Sequence, residues 1–337
     1  MAGSTTHENP DNPNYSQEKT FRNYTTSDAA KYAAYRPSYP PKLIELVLSI
    51  HNTTGGQTSH VLDIGCGPGI ATRQIAEHFQ YVTGIDAGAS MITKAQETPC
   101  SSATGEQATF LVSNSEDIDK HFEPATIDLI TVATAAHWFD LPRFYAAASK
   151  VLRPRGSIAL WCGGNWFVDP RTTPNADQVQ AVWRDLEEEI LSPFDMPGNK
   201  HCRELYANLD MPWTVDAQTP ELKDELSVYD RDASVRREFN ADGQPDPDLI
   251  FVESNGFMMY KRGPVDALSK ALSTSSSVTR WREAHKQQLA RGEIEDCIAK
   301  MLRLTMETTG KTTQDFEQQY LDCGVSMVLI VLKKKTA

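Results

Sequence analysis

Short apolar runs with β-branched members alternate with amphipathic stretches through the first half of the chain. Residues 61–64, 81–85, 108–112, 127–132 and 157–161 read as strands. Between them, 71–79, 89–97 and 141–152 have helical spacing of apolar positions, as does 41–50 ahead of the first strand. Strand and helix in turn predict an α/β fold built on a parallel sheet. After Gly164 the alternation breaks down. Residues 179–191 carry one apolar stripe (Val179, Val182, Leu186, Ile190), and 201–209, 275–289, 294–308 and 315–322 also read as helices. Residues 227–248 are charged and polar, 249–261 have β character, and 325–332 form a strongly apolar strand expected to re-enter the sheet.

The first strand runs straight into Asp63-Ile-Gly-Cys-Gly-Pro-Gly69. Strand, glycine loop and helix open a nucleotide-binding unit, because glycines let a ligand approach the backbone and accept unusual dihedrals. The helix start adds exposed N–H donors. A dinucleotide fingerprint requires a third glycine where Ile70 stands, and Pro68 removes a donor from the loop. The second strand ends in Asp86, whose carboxylate can accept both hydroxyls of a ribose, while Asp63 can face an amino group. These features suit an adenosine that carries an amino acid and no phosphates.

The run from Asp63 to Gly69, followed by Gly84-Ile-Asp86, resembles the motifs of class I S-adenosylmethionine-dependent methyltransferases. Arg36-Pro-Ser-Tyr-Pro40 and Ala136-His-Trp-Phe-Asp140 resemble segments of the fungal trans-aconitate 3-methyltransferase and cantharidin methyltransferase group; 197–203 and 275–285 do so more loosely. The resemblance implies S-adenosyl-L-methionine as cofactor. It implies a Rossmann-like sheet of seven strands, mostly parallel with the last antiparallel, and a mainly helical cap inserted after strand five. The expected divisions are a disordered tail (1–20), a lid (21–40), the cofactor-binding core (41–164), the cap (165–313, with a strand near 249–261) and a closing helix and strand (314–337).

Expected cofactor contacts are Asp63, Gly65, Cys66, Gly67 and Gly69 in the loop, Asp86, Ala87 and Met91 after the second strand, and Ala133 at the end of the fourth. By the same resemblance Ser115 and Glu116 read the adenine edge. Arg36 is suited to a bidentate pair with the cofactor's methionine carboxylate or with a substrate. Tyr32, Tyr35, Trp138 and Trp166 are expected along the acceptor site. His137 lies beyond the carboxyl end of a strand, where ligands of open sheets bind, and is the candidate general base or substrate donor. By the same resemblance the expected acceptor is a carboxylate oxygen of a small, trans-aconitate-like organic acid, which is ionised at neutral pH and needs no base; the alternative, a hydroxyl or amine of a secondary metabolite, would use one. A noncatalytic protein that binds the cofactor for structure or sensing is the reading outside enzymology.

The net charge of −12 and pI near 5.2 argue against nucleic acid as the main partner. A small-molecule substrate is expected, with no membrane partner, because no apolar run approaches the length of a span. Residues 1–17 lack a secretory apolar core, so the protein is expected in the cytoplasm. The six cysteines are scattered without metal spacing, so reduced thiols and no metal site are expected. The sequence leaves the oligomeric state open and is compatible with a monomer.

Overall fold

The computed structural model describes residues 19–239, 259–310 and 320–336. Five parallel strands form the half of the sheet that carries the glycine loop: β1 (His60–Ile64), β2 (Tyr81–Asp86), β3 (Thr109–Val112), β4 (Ile127–Ala133) and β5 (Leu152–Val168). The order is β3-β2-β1-β4-β5, so the chain reverses its direction of growth between β1 and β4. Strand ends at such a reversal splay apart and leave a crevice. Around these strands lie α1 (Thr26–Tyr35), α2 (Pro41–Thr53), α3 (Ile70–Ile75), α4 (Ala89–Gln96) and α5 (Leu141–Val151). The sheet buries apolar side chains on both faces, with Leu62, Ile130 and Phe144 in one cluster and Val61, Phe79 and Trp161 in the other.

The described sheet has eight strands rather than seven. The final strand, β8 (Tyr320–Lys334), spans 15 residues and lies antiparallel to β5. Its other edge is long enough for two partners. The second half pairs with β6 (Tyr229–Phe239) and the first half with β7 (Met259–Pro264), both antiparallel. The stretch expected to be merely charged and polar therefore contains a strand. Arg231, Arg236, Arg237 and Glu238 hide it, because an edge strand pairs through its backbone and need not alternate apolar side chains.

Other boundaries shift. β5 continues to Val168, pairing Phe167 with Gly324, so the sheet extends past the expected start of the cap. Thr25 is the N-cap of α1, and Asp28 closes a capping box with it. The helix expected over 71–79 stops at Ile75 and ends in a 3₁₀ turn. The expected disordered tail lies outside the described residues except at 19 and 20. The expected helix at 315–322 lies outside them up to 319, and Tyr320 to Asp322 belong to β8.

The cap comprises α6 (Ala176–Asp185), α7 (Pro197–Arg203), α9 (Val265–Leu272), α10 (Ser276–Ala284), α11 (Lys286–Ala290) and α12 (Cys297–Thr309), whereas α8 (Pro220–Ser227) packs on α5. The cap has its own core around Val179, Trp183, Leu268, Trp281 and Met301. At Leu186 the α6 spiral widens into a π turn that runs to Leu191. Such turns are rare and often mark functional sites.

Candidate methyl-transfer site

The carboxyl ends of β1, β2 and β4 face a cavity of about 300 Å³, roofed by the cap and by 21–40. Gly65, Gly67 and Gly69 all have left-handed φ, at +65°, +54° and +82°. A side chain at Gly67 would meet no atom within 4 Å: the inner surface of the loop opens into the cavity. The loop is held from below. Oδ2 of Asp86 accepts the Gly67 N–H at 2.9 Å, and Oδ1 accepts the Gly88 N–H at 2.7 Å. A carboxylate oxygen has two acceptor positions, so one on each oxygen remains for a ligand on the cavity side. Burial raises the Asp86 carboxyl above its usual range, against the pull of these two N–H groups.

Asp63 faces elsewhere. It is fully buried, and its oxygens accept the hydroxyls of Thr72 at 2.5 Å and Thr131 at 2.7 Å. Burial pushes its pKa up to about 6. It ties the first turn of α3 to β4 and is absent from the cavity wall, as are Cys66 and Gly69. The Cys66 N–H donates to the Ile85 carbonyl, and its own carbonyl accepts the Gly69 N–H. Ala87, Met91, Ser115 and Ala133 do line the cavity. Glu116 is buried and absent from the cavity wall, and it accepts the Asp140 N–H at 2.9 Å, at the start of α5.

The segment 21–40 closes one side. Phe21, Tyr24 and Tyr32 stack edge to face, with centroids 5.3 to 6.3 Å apart, and α1 packs on both α4 and α9. Phe21, Arg22, Tyr32, Arg36, Pro37 and Tyr39 face the cavity. The guanidinium carbon of Arg36 is 5.8 Å from the Tyr32 ring centroid, and Nη1 reaches the Thr274 hydroxyl at 3.4 Å. The phenols of Tyr32 and Tyr39 hold Arg36 firmly protonated despite its burial. Burial pushes Tyr39 up to about 12, and its hydroxyl meets that of Thr134 at 3.0 Å. Thr134 itself has a φ of +56°, a costly conformation for a β-branched residue and one that concentrates at functional sites. Tyr35 points away: its side of α1 is exposed and its ring meets Lys270.

Trp138 and Trp166 line the cavity, but His137 does not. The His137 ring is buried behind the wall, with Nδ1 2.8 Å from the Tyr206 hydroxyl and 3.2 Å from the Cys202 sulfur. Wall residues outside the expected set include Thr134, Cys202 and Glu187. Glu187 sits on the π turn, four residues after Trp183 and eight after Val179, so helical spacing does place it on the inward stripe. The run Glu187-Glu-Glu189 gives the opposite impression of a solvated face. All six cysteines are free thiols, and no metal-binding cluster occurs among the described residues. No described helix is long and apolar enough to cross a membrane.

This arrangement of strand order, glycine loop and acidic strand end is that of the Rossmann-like methyltransferase fold. Residues 61–156 match the model of a methyltransferase domain family. The chain is 28% identical over 205 residues to a Dictyostelium discoideum protein named as a methyltransferase, covering 60% of this chain and 72% of that one. It is 31% identical over 134 residues to the Saccharomyces cerevisiae protein named as S-adenosylmethionine-dependent methyltransferase CRG1, covering 40% and 45%. With the methyltransferase pgmE of Aspergillus terreus it shares 24% over 173 residues, covering 50% and 52%. The matches to CRG1 and pgmE thus span about half of those proteins. Among solved structures, one titled as a type II methyltransferase from Anaeromyxobacter dehalogenans aligns with a TM-score of 0.57 at 24% identity, over 90% of this chain and 98% of that one.

Proposed function

We propose that the protein transfers the methyl group of S-adenosyl-L-methionine to a hydroxyl or amine of a small molecule, such as a secondary metabolite. One observation carries this reading: a single cavity has the cradle of Gly67 and Asp86 on its sheet side and Trp166 and Glu187 on its cap side. The open inner face of Gly67 and the remaining acceptor positions of Asp86 fit a nucleoside and its ribose hydroxyls. Ala87, Met91, Ser115 and Ala133 would border the rest of the nucleoside, and Arg36 would grip the methionine carboxylate. The cofactor supplies a methyl already activated on a sulfonium. The chain's own task is to hold the acceptor in line with it, shield it from water and accept its proton. Tyr32, Trp138 and Trp166 would offer rings to the acceptor or to the positive sulfur.

A second reading, with a small organic acid such as trans-aconitate as acceptor, is favoured by Arg36. Its described contacts are hydroxyls and rings, so the cation can meet an acid. The test has two stages. Calorimetry with S-adenosylhomocysteine should show binding that Asp86→Ala weakens. Labelled methyl transfer should then be measured to catechol, to tyramine and to trans-aconitate. Transfer to catechol or tyramine is the expected result. Transfer to trans-aconitate alone establishes the second reading, and failure of the wild type to bind either form of the cofactor defeats both.

A further inference from the structure

Glu187 is the one acidic side chain on the cap side of the cavity wall, among the described residues. It is carried there by the π turn Leu186–Leu191, which α10 and α12 pack against. Glu187 is half-buried, and the cap side of the wall carries Leu186 and Leu191 of the turn and Ile298 of α12 beside Asn199 and Arg203 of α7. None of the described residues hydrogen-bonds to its carboxylate or forms an ion pair with it. A structural glutamate in such a place would be expected to have a partner, because a partly desolvated charge gains from one.

The neighbouring charges are otherwise engaged. Arg203, from α7, is ion-paired with Asp195. From α10, Arg280 donates to the Phe194 carbonyl at 2.6 Å and to Asn199 Oδ1 at 2.7 Å. Glu188 is the adjacent acid and is exposed. Burial pushes Glu187 up to about 7; the charge of Arg203 opposes that shift and Glu188 adds to it. At neutral pH both protonation states are therefore populated, as a proton acceptor requires.

We propose that Glu187 is the general base of the transfer and takes the proton of the acceptor hydroxyl or amine. This rests on the reading that the acceptor carries a removable proton. The acceptor's lone pair forms the new bond to the methyl carbon as the carbon–sulfur bond breaks. The electron pair of that bond stays on sulfur, and the acceptor proton passes to a Glu187 carboxylate oxygen. Glu187 then returns the proton to water. His137, behind the wall against Tyr206, has no part in this step.

The test is Glu187→Gln, which preserves shape and removes the base. With catechol or tyramine, whichever the wild type methylates, kcat should fall about 10²-fold or more. The affinity for S-adenosylhomocysteine should stay within twofold. The acidic limb of the wild-type pH profile, falling below about pH 7, should vanish in the variant. A second readout needs no turnover. In protein labelled with ¹³C-carboxyl glutamate, the resonance missing from Glu187→Gln should titrate near pH 7 when S-adenosylhomocysteine is bound.

Glu187→Gln retaining kcat on a phenol or amine overturns the base and leaves the methyltransferase reading standing. Transfer to trans-aconitate alone, untouched by the substitution, overturns it as well. Titration of the carboxyl in the ordinary glutamate range overturns it even if no acceptor is found. Failure of S-adenosylhomocysteine to bind the wild type strikes instead at the cofactor reading on which the proposal rests.

Discussion

Asp86 and Gly67 are joined by a hydrogen bond of 2.9 Å from the loop N–H to Oδ2, so the residue proposed for the ribose also sets the shape of the loop. Asp86→Ala removes the acceptor for Gly67 and Gly88 together with the proposed ribose contact. Hydrogen bonds to a charged group are worth about 1.5–3 kcal/mol, so affinity for S-adenosylhomocysteine should fall about 10- to 100-fold. Isothermal calorimetry measures this. Asp86→Asn should lose less, because one oxygen remains.

Arg36 should discriminate by the tail of the ligand. Arg36→Met removes the cation but keeps much of the stem that packs near Tyr32. Binding of S-adenosylhomocysteine should weaken about 10-fold or more, in line with loss of a charge-assisted pair. Binding of 5′-methylthioadenosine, which has no amino-acid tail, should hardly change. Equal losses for both ligands would remove Arg36 from the carboxylate site.

Gly198 should tolerate no side chain. A methyl there would lie 2.5 Å from Trp138 Cζ3 and 2.8 Å from the His137 carbonyl oxygen. The backbone cannot yield cheaply, so Gly198→Ala should cost about 1–3 kcal/mol of stability. Denaturant unfolding reads that cost. If the indole yields instead, it moves along the cavity wall, and the tryptophan emission should shift with cofactor bound.

Asp63 should make stability depend on pH in a particular direction. Its folded pKa of about 6 stands above the ordinary 3.8. A raised carboxyl pKa favours the fold below about pH 4, and that contribution is lost as pH rises through 6. Across that window it amounts to about 3 kcal/mol. Asp63→Asn should still meet both hydroxyls of Thr72 and Thr131, donating to one and accepting from the other. Its melting temperature should therefore gain on the wild type between pH 4 and 6 and hold the gain above.

The parallel strands were legible because their information is local: apolar runs, left-handed glycines and an acid at a strand end. Asp86 follows from that logic. Glu116 does not, because its partner is the Asp140 N–H, which only folding brings near. The placement of His137 likewise depends on Tyr206, 69 residues away. β6 escaped notice because an edge strand need not bury alternating side chains, and Arg231, Arg236 and Arg237 read as a solvated stretch. Glu187 shows a further limit. Its spacing from Val179 and Trp183 pointed inward, but two neighbouring glutamates gave the stretch a solvated look.

The placement of β8 between β5 on one side and β6 and β7 on the other has a consequence for biosynthesis. Both cofactor half and cap half hang on a ribbon that the ribosome makes after either of them. Until Tyr320–Lys334 has emerged, the inner edge of β5 has no neighbour and stays open to rival strands. Productive folding is therefore a late event, and chaperone protection should matter most for nascent chains arrested just short of Tyr320.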